Sequence, residues 1–265
     1  MRVVAGEPTG SRELEQLSDE VARLQAELAR TSAALRQREL ESSDKERQLE
    51  RYAADLRETF KEERTRSQEL RESYRATVRA LSNAVEARDA YTGKHADRVT
   101  AYGIAIALAL GVSERDAAEL EFGFLLHDIG KIAIADAILY KPGALTANER
   151  ALMAQHPVIG ADMIAGIEFL KGASTVIRSH HERWDGSGYP DGLKGEQIPL
   201  PARVFTVADV LDALTSDRPY RPASSLADAR QFISRESGHQ FDPQVVVAFN
   251  SIPDEVFERI RVDLE

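Results

Sequence analysis

Residues 12 to 90 contain neither proline nor glycine, and no other feature of the chain restricts its fold as strongly. Proline breaks a helix interior and glycine weakens it. A stretch this long without either, dense in Glu, Arg, Gln, Ala and Leu, predicts one or two long helices. Leu14, Leu17, Val21, Leu24, Leu28, Thr31 and Leu35 alternate steps of three and four. Leu49, Tyr52 and Leu56 resume that register after the polar Arg38, Ser42 and Lys45, which is the spacing of a coiled-coil seam. Phe60, Leu70, Tyr74, Val78 and Leu81 fall out of register with Leu56, as expected if the seam shifts before the helix joins a following domain. The expected organisation is a flexible N-terminus over 1–11, a coiled-coil dimerisation or signalling segment over 12–85, and a globular domain over 86–265.

From residue 93 onward, helical patterns alternate with loops marked by Gly and Pro, and strand-like alternation is scarce. The expected fold class is therefore all-α, a long N-terminal helix followed by a helical bundle. Gly111 before Ser113 and Asp116 reads as a helix end and a new N-cap, Thr146 with Glu149 as a capping box, and Asp242 before Pro243 as a further helix start. The segment from Asp185 to Pro201, with four glycines and three prolines, should be a loop able to frame a pocket.

The chain has no cysteine, so any metal must be held by nitrogen and oxygen; the same absence suits a reducing cytoplasm. No apolar run is long enough to span a bilayer, and residues 1–10 do not resemble a signal peptide. A net charge of -10 argues against bulk capture of DNA or RNA, whereas a small phosphorylated ligand needs only a local cation cluster.

Leu120, Phe124 and His127 share one helical row with Asp128 beside it, so an imidazole and a carboxylate should face inward. A carboxylate turned toward an apolar interior is costly unless a cation or several hydrogen bonds compensate it. Gly130 should end that helix and let Lys131 point back. His180 and His181, neighbours on a predicted helix, should diverge by about 100°, an arrangement suited to two nearby metals. Val204, Val207, Ala208, Leu211 and Leu214 form a core stripe, with Asp209, Asp212 and Ser216 as a polar stripe beside it. Geometry alone implies a metal site of unknown type; its spacings match no short ligand motif.

The segments HDIGK (127–131), HHERWDGSGYP (180–190) and VADVLDALTSDRPYR (207–221) closely resemble the HD-GYP family of bacterial phosphodiesterases, over about residues 90 to 250. The resemblance implies hydrolysis of cyclic di-GMP to linear pGpG, GMP or both, in second-messenger signalling, by water activated between two divalent cations. By position it implies metal ligands at His127, Asp128, His156, His180, His181 and Asp209, with Asp128 bridging. Iron or manganese is the expected metal, with zinc, cobalt or nickel as alternatives.

His95 also falls on a family histidine that helps hold a third metal in some members. The glutamate expected four residues earlier is here Tyr91, which favours two ions and leaves His95 as a candidate ligand, supporting group or pocket residue. Lys131 and Arg218 are expected on substrate phosphate, Lys131 also acting with Asp128 in catalysis. Tyr189 and Trp184 are candidates to stack on the substrate base or to pack the loop, with Tyr189 taken as substrate-binding and Trp184 as core packing. The expected partners are a second copy through the N-terminal helix and upstream sensor or diguanylate cyclase domain proteins. The rival reading is a catalytically silent HD-GYP protein that binds nucleotide or a partner.

Overall fold

The computed structural model describes residues 9–88, 94–217 and 222–264. The chain divides into two compact units between Leu70 and Arg71. Among the described residues the regular elements are helices, with one isolated bridge between Ser237 and Phe241, as the scarcity of alternating patterns implied. No helix is long and apolar enough to cross a membrane.

Helix α1 runs Thr9–Glu86. Residues 1–8 lie outside the described residues. In the first unit the seam residues face solvent, Leu14 being 70% and Leu49 65% exposed.

The second unit starts at Arg71, and the last turns of α1 are built into it. Tyr74 stacks on Phe169 with ring centroids 4.1 Å apart, and Val78 and Val85 are buried. Arg75 and Arg79 pair with Glu121 (2.7 Å) and Asp97 (2.8 Å). The out-of-register residues after Leu56 thus include side chains that pack on the domain.

The remaining helices are α2 (His95–Ala109), α3 (Glu114–Leu125), α4 (Asp136–Leu139), α5 (Ala147–Met153), α6 (His156–Ile164), α7 (Lys171–Ser179), α8 (Leu200–Thr215), α9 (Leu226–Arg235), α10 (Pro243–Ser251) and α11 (Asp254–Asp263). Their ends form where the side chains allow: Ser113 and Asp242 cap α3 and α10, Thr146 and Glu149 close a capping box on α5, and Gly111 takes a left-handed φ of 85° after α2. Helix α2 packs on α3 and α8, and α7 on α3 and α6. Val204, Val207, Ala208 and Leu211 are buried with Val99, Ile106 and Phe124 in the main core. A second cluster joins Val78 and Val85 to Leu126, Ile129, Ile164 and Ile177, so apolar packing fixes the backbone on both sides of His127.

Candidate metal centre

Two groups of side chains converge at the ends of these helices. Asp128, His156, His180 and His181 form one, and His95, His127 and Asp209 the other. Within each, one possible ligand atom per residue lies within 4.8 Å of the others. His127 and Asp128, adjacent in sequence, connect the two, with His127 Nε2 3.1 Å from Asp128 Oδ2. The six candidate ligands are therefore brought together, and His95 joins them.

Several local expectations need correction. Helix α3 ends at Leu125, so His127 and Asp128 follow it in a turn, because a 3-10 turn over Ile129–Ala133 takes over. Gly130 lies inside that turn rather than ending the helix, and the turn demands a glycine: a β-carbon would overlap the carbonyl oxygen of His156. Helix α7 likewise stops at Ser179. Beyond it the rings of His180 and His181 do not diverge as on a helix; their centroids are 4.1 Å apart, and both join the same group.

Backbone carbonyls fix the tautomers of three rings. The Nδ1 atoms of His127, His156 and His180 donate to the carbonyl oxygens of Phe124, Met153 and Ile177, each at 2.8 Å. A neutral ring that donates from Nδ1 presents a lone pair at Nε2. Yet His156 Nε2 and His180 Nε2 are 3.1 Å apart, and His156 Nε2 is 3.2 Å from Asp128 Oδ1. Ring nitrogens and a carboxylate oxygen this close need a positive charge among them, which a proton or a divalent cation with nitrogen and oxygen ligands supplies. The donor set fits such an ion.

The electrostatics point the same way. Burial, reinforced by neighbouring imidazoles, holds His180 well below the usual histidine range and His181 down to about 4, so both rings are neutral at pH 7. Burial opposes the charge of Asp128, but His127 and Lys131 outweigh it and keep the carboxyl well below its usual range. Burial also opposes a charge on His95, but hydrogen bonds to Asp209 and Asp212 raise it to about 10. Without a metal, His95 carries a proton that a metal would displace.

Asp212 escaped the sequence reading as more than part of a polar stripe. It is buried in α8, accepts from His95 Nδ1 at 2.7 Å, and is gripped by Arg98 through Nε at 2.6 Å. Arg98 also donates to Ser216 Oγ, so the predicted Asp209, Asp212 and Ser216 stripe serves one network. A buried carboxylate one helical turn beyond a candidate ligand was the available signal. Lys131 Nζ lies 2.7 Å from Asp128 Oδ2. Tyr189 packs at 4.7 Å from His181, ring to ring, and Trp184 is half-buried, with the Arg203 guanidinium 5.8 Å from its ring. Tyr91 and Arg218 lie outside the described residues.

Glu182, also unremarked in sequence, follows the two histidines and is buried. Its carboxylate accepts the backbone N–H groups of Asp191 (2.8 Å), Gly192 (3.1 Å) and Leu193 (3.0 Å). Gly188 packs against the backbone of residues 181–183, where a β-carbon would overlap the amide of Arg183. The loop carrying Tyr189 is thereby folded back onto the histidine pair.

A helical domain that turns five imidazoles and two carboxylates onto one another has the make-up of a metal-binding protein. Residues 79–245 match the HD domain family. The chain belongs to that family, and its HDIGK and GYP segments are those of the HD-GYP branch.

Among relatives, it is 43% identical over 182 residues to the cyclic di-GMP phosphodiesterase response regulator RpfG of Xanthomonas campestris, covering 68% of this chain and 48% of that protein. It is 41% identical over 183 residues to a cyclic di-GMP phosphodiesterase of Thermotoga maritima, covering 68% and 50%. To the 3'3'-cGAMP-specific phosphodiesterase 2 of Vibrio cholerae it is 38% identical over 198 residues, covering 74% and 38%. The chain spans half or less of the length of these relatives. A crystal structure of a V. cholerae cyclic GMP-AMP specific phosphodiesterase, V-cGAP3, shares the fold with a TM-score of 0.52 at 23% identity, covering 71% of this chain and 53% of that one.

Proposed function

We propose that the chain is a metal-dependent phosphodiesterase that opens cyclic di-GMP to linear pGpG, GMP or both. The observation that carries this reading is the pair of joined donor groups, with the Nδ1 atoms of His127, His156 and His180 held by backbone carbonyls. Two divalent ions, iron or manganese by preference and zinc, cobalt or nickel otherwise, are assigned to His127, Asp128, His156, His180, His181 and Asp209, with His95 as a further ligand. When bound, such ions supply a water activated near neutral pH and offset charge on phosphate oxygens.

The chain's own residues supply the rest. Asp128 and Asp209 keep side-chain exposures of 22% and 30% and His181 is also part-exposed, while His95, His127, His156 and His180 are buried, so the two carboxylates and His181 mark the side from which substrate enters. Lys131, held against Asp128, is assigned to a phosphate oxygen, where its ammonium stabilises charge that grows in the transition state. Arg218 is assigned the same role from sequence. Tyr189 presents an aromatic face beside His181 for a base. The seam of α1 is assigned to a homodimer, with sensor or diguanylate cyclase proteins as upstream partners.

Cyclic GMP-AMP is the second reading for the substrate, favoured by the similarity to a 3'3'-cGAMP-specific relative. The test incubates purified chain with each dinucleotide under iron, manganese and zinc in turn and separates the linear products. Hydrolysis of cyclic di-GMP with at least one metal is expected; product from neither dinucleotide under any metal supports the silent-binder reading instead. Asp128→Ala should abolish turnover and lower bound metal while leaving the helical circular dichroism unchanged. Full hydrolysis by that variant would refute the assignment.

A further inference from the structure

The face of α1 between Leu14 and Leu56 is apolar and uncovered: Leu17, Val21, Leu24, Leu35 and Tyr52 are each at least half exposed. In heptad terms Leu14, Val21, Leu28, Leu35, Ser42, Leu49 and Leu56 occupy position a, and Leu17, Leu24, Thr31, Arg38, Lys45 and Tyr52 position d. Two apolar stretches, Leu14 to Leu35 and Leu49 to Leu56, separated by the polar Arg38, Ser42 and Lys45, mark an interaction surface. We propose that its occupant is a second copy of the chain, wound into a parallel, in-register, two-stranded coil whose register is set by Arg38, Ser42 and Lys45. The proposal rests on the dimer assigned above and gives it an orientation.

The charges choose the orientation. In a parallel, in-register pair each d residue meets its own copy and the e residue that follows it on the opposite strand. Glu39 follows Arg38 and Glu46 follows Lys45, so both seam cations find a carboxylate across the interface. Leucine layers meet leucine layers, and polar layers meet polar layers. This pairing also brings Glu41 near the second copy's Glu46, a like-charge contact that the two Lys45 ammoniums between them offset.

An antiparallel pair instead sets d residues against a residues. Arg38 and Lys45 are seven residues apart and must face two a residues with the same separation. Ser42 has Leu35 and Leu49 at that spacing, so within the seam at most one cation meets a polar side chain and the other lies against leucine. That cost excludes the wrong orientation more than it strengthens the right one. Two strands also leave the long Arg and Lys stems able to carry their charges out to water, which a closed three- or four-stranded core prevents.

Because the chain has no cysteine, single cysteines report cleanly. Leu14→Cys and Leu56→Cys are made separately in the full chain, treated with a flexible bis-maleimide alone and as a mixture, and run on denaturing gels. Sedimentation of the unmodified chain gives its mass. The expected result is twice the 29.3 kDa chain mass, with each variant cross-linking efficiently to itself.

Cross-linking confined to the mixture would overturn the parallel orientation and leave the dimer standing. A monomer mass would overturn both, and a trimer or tetramer would overturn the two-stranded coil. Replacing Arg38 and Lys45 together by leucine should raise the melting temperature of the seam while adding mixed-orientation products or higher masses. A variant that stays a purely parallel dimer would overturn the register-setting role. None of these readouts depends on nucleotide hydrolysis.

Discussion

At residue scale, the site is held by contacts to which few side chains can contribute. Gly130 fits under the His156 carbonyl only because it has no β-carbon. Gly130→Ala should therefore destabilise the domain by about 1–3 kcal/mol, read as a lower denaturant midpoint, and reduce metal content in parallel. Asp212 orients His95 through Nδ1. Asp212→Asn should weaken metal binding by roughly 10–100-fold, measured by competition with a chelator, with far-ultraviolet circular dichroism unchanged. Glu149 gives a pH-dependent counterpart away from the site. Hydrogen bonds from Lys141 and then Thr146 lower its pKa from 4.5 to about 2. Its stabilising effect is complete above pH 4.5 and is lost as pH falls toward 2. The gap in melting temperature between the native chain and Glu149→Gln should be widest near neutrality and close across that window.

At the scale of elements, the sequence was most informative where local chemistry determines local structure. The caps at Ser113, Thr146 and Asp242 and the buried stripe of α8 were legible because each depends on a few adjacent side chains. The ends of α3 and α7 were not, since 3-10 and turn geometry wins there through packing against α6 and through a glycine fit that no periodicity records. Among the candidate ligands, His127, Asp128, His180, His181 and Asp209 stood out from their own surroundings. His156 did not: it opens α6, and its Nε2 meets His180 only through the tertiary fold. Glu182 and Asp212 escaped for the same reason, since their partners are backbone amides and an imidazole far along the chain. Glu182→Ala leaves three loop amides without their acceptor. It should cost about 1–3 kcal/mol and speed hydrogen exchange over residues 186–198 relative to Glu182→Gln, which keeps one accepting oxygen.

At the scale of the whole molecule, the boundary at Leu70 has a direct test. A fragment beginning at Arg71 retains Tyr74, Val78, Ser82 and Val85 and should melt cooperatively. One beginning at residue 87 loses all four and should melt lower, bind less metal and expose the second apolar cluster to a hydrophobic dye. The unlike backing of the two donor groups has a further consequence. In one group, His156 and His180 rest on backbone carbonyls; in the other, His95 rests on the carboxylate of Asp212. A carboxylate behind an imidazole makes that ring a stronger donor. The two halves are chemically unequal, so a proposed pair of ions should load in order, giving a two-step isotherm and allowing one protein molecule to carry two different metals.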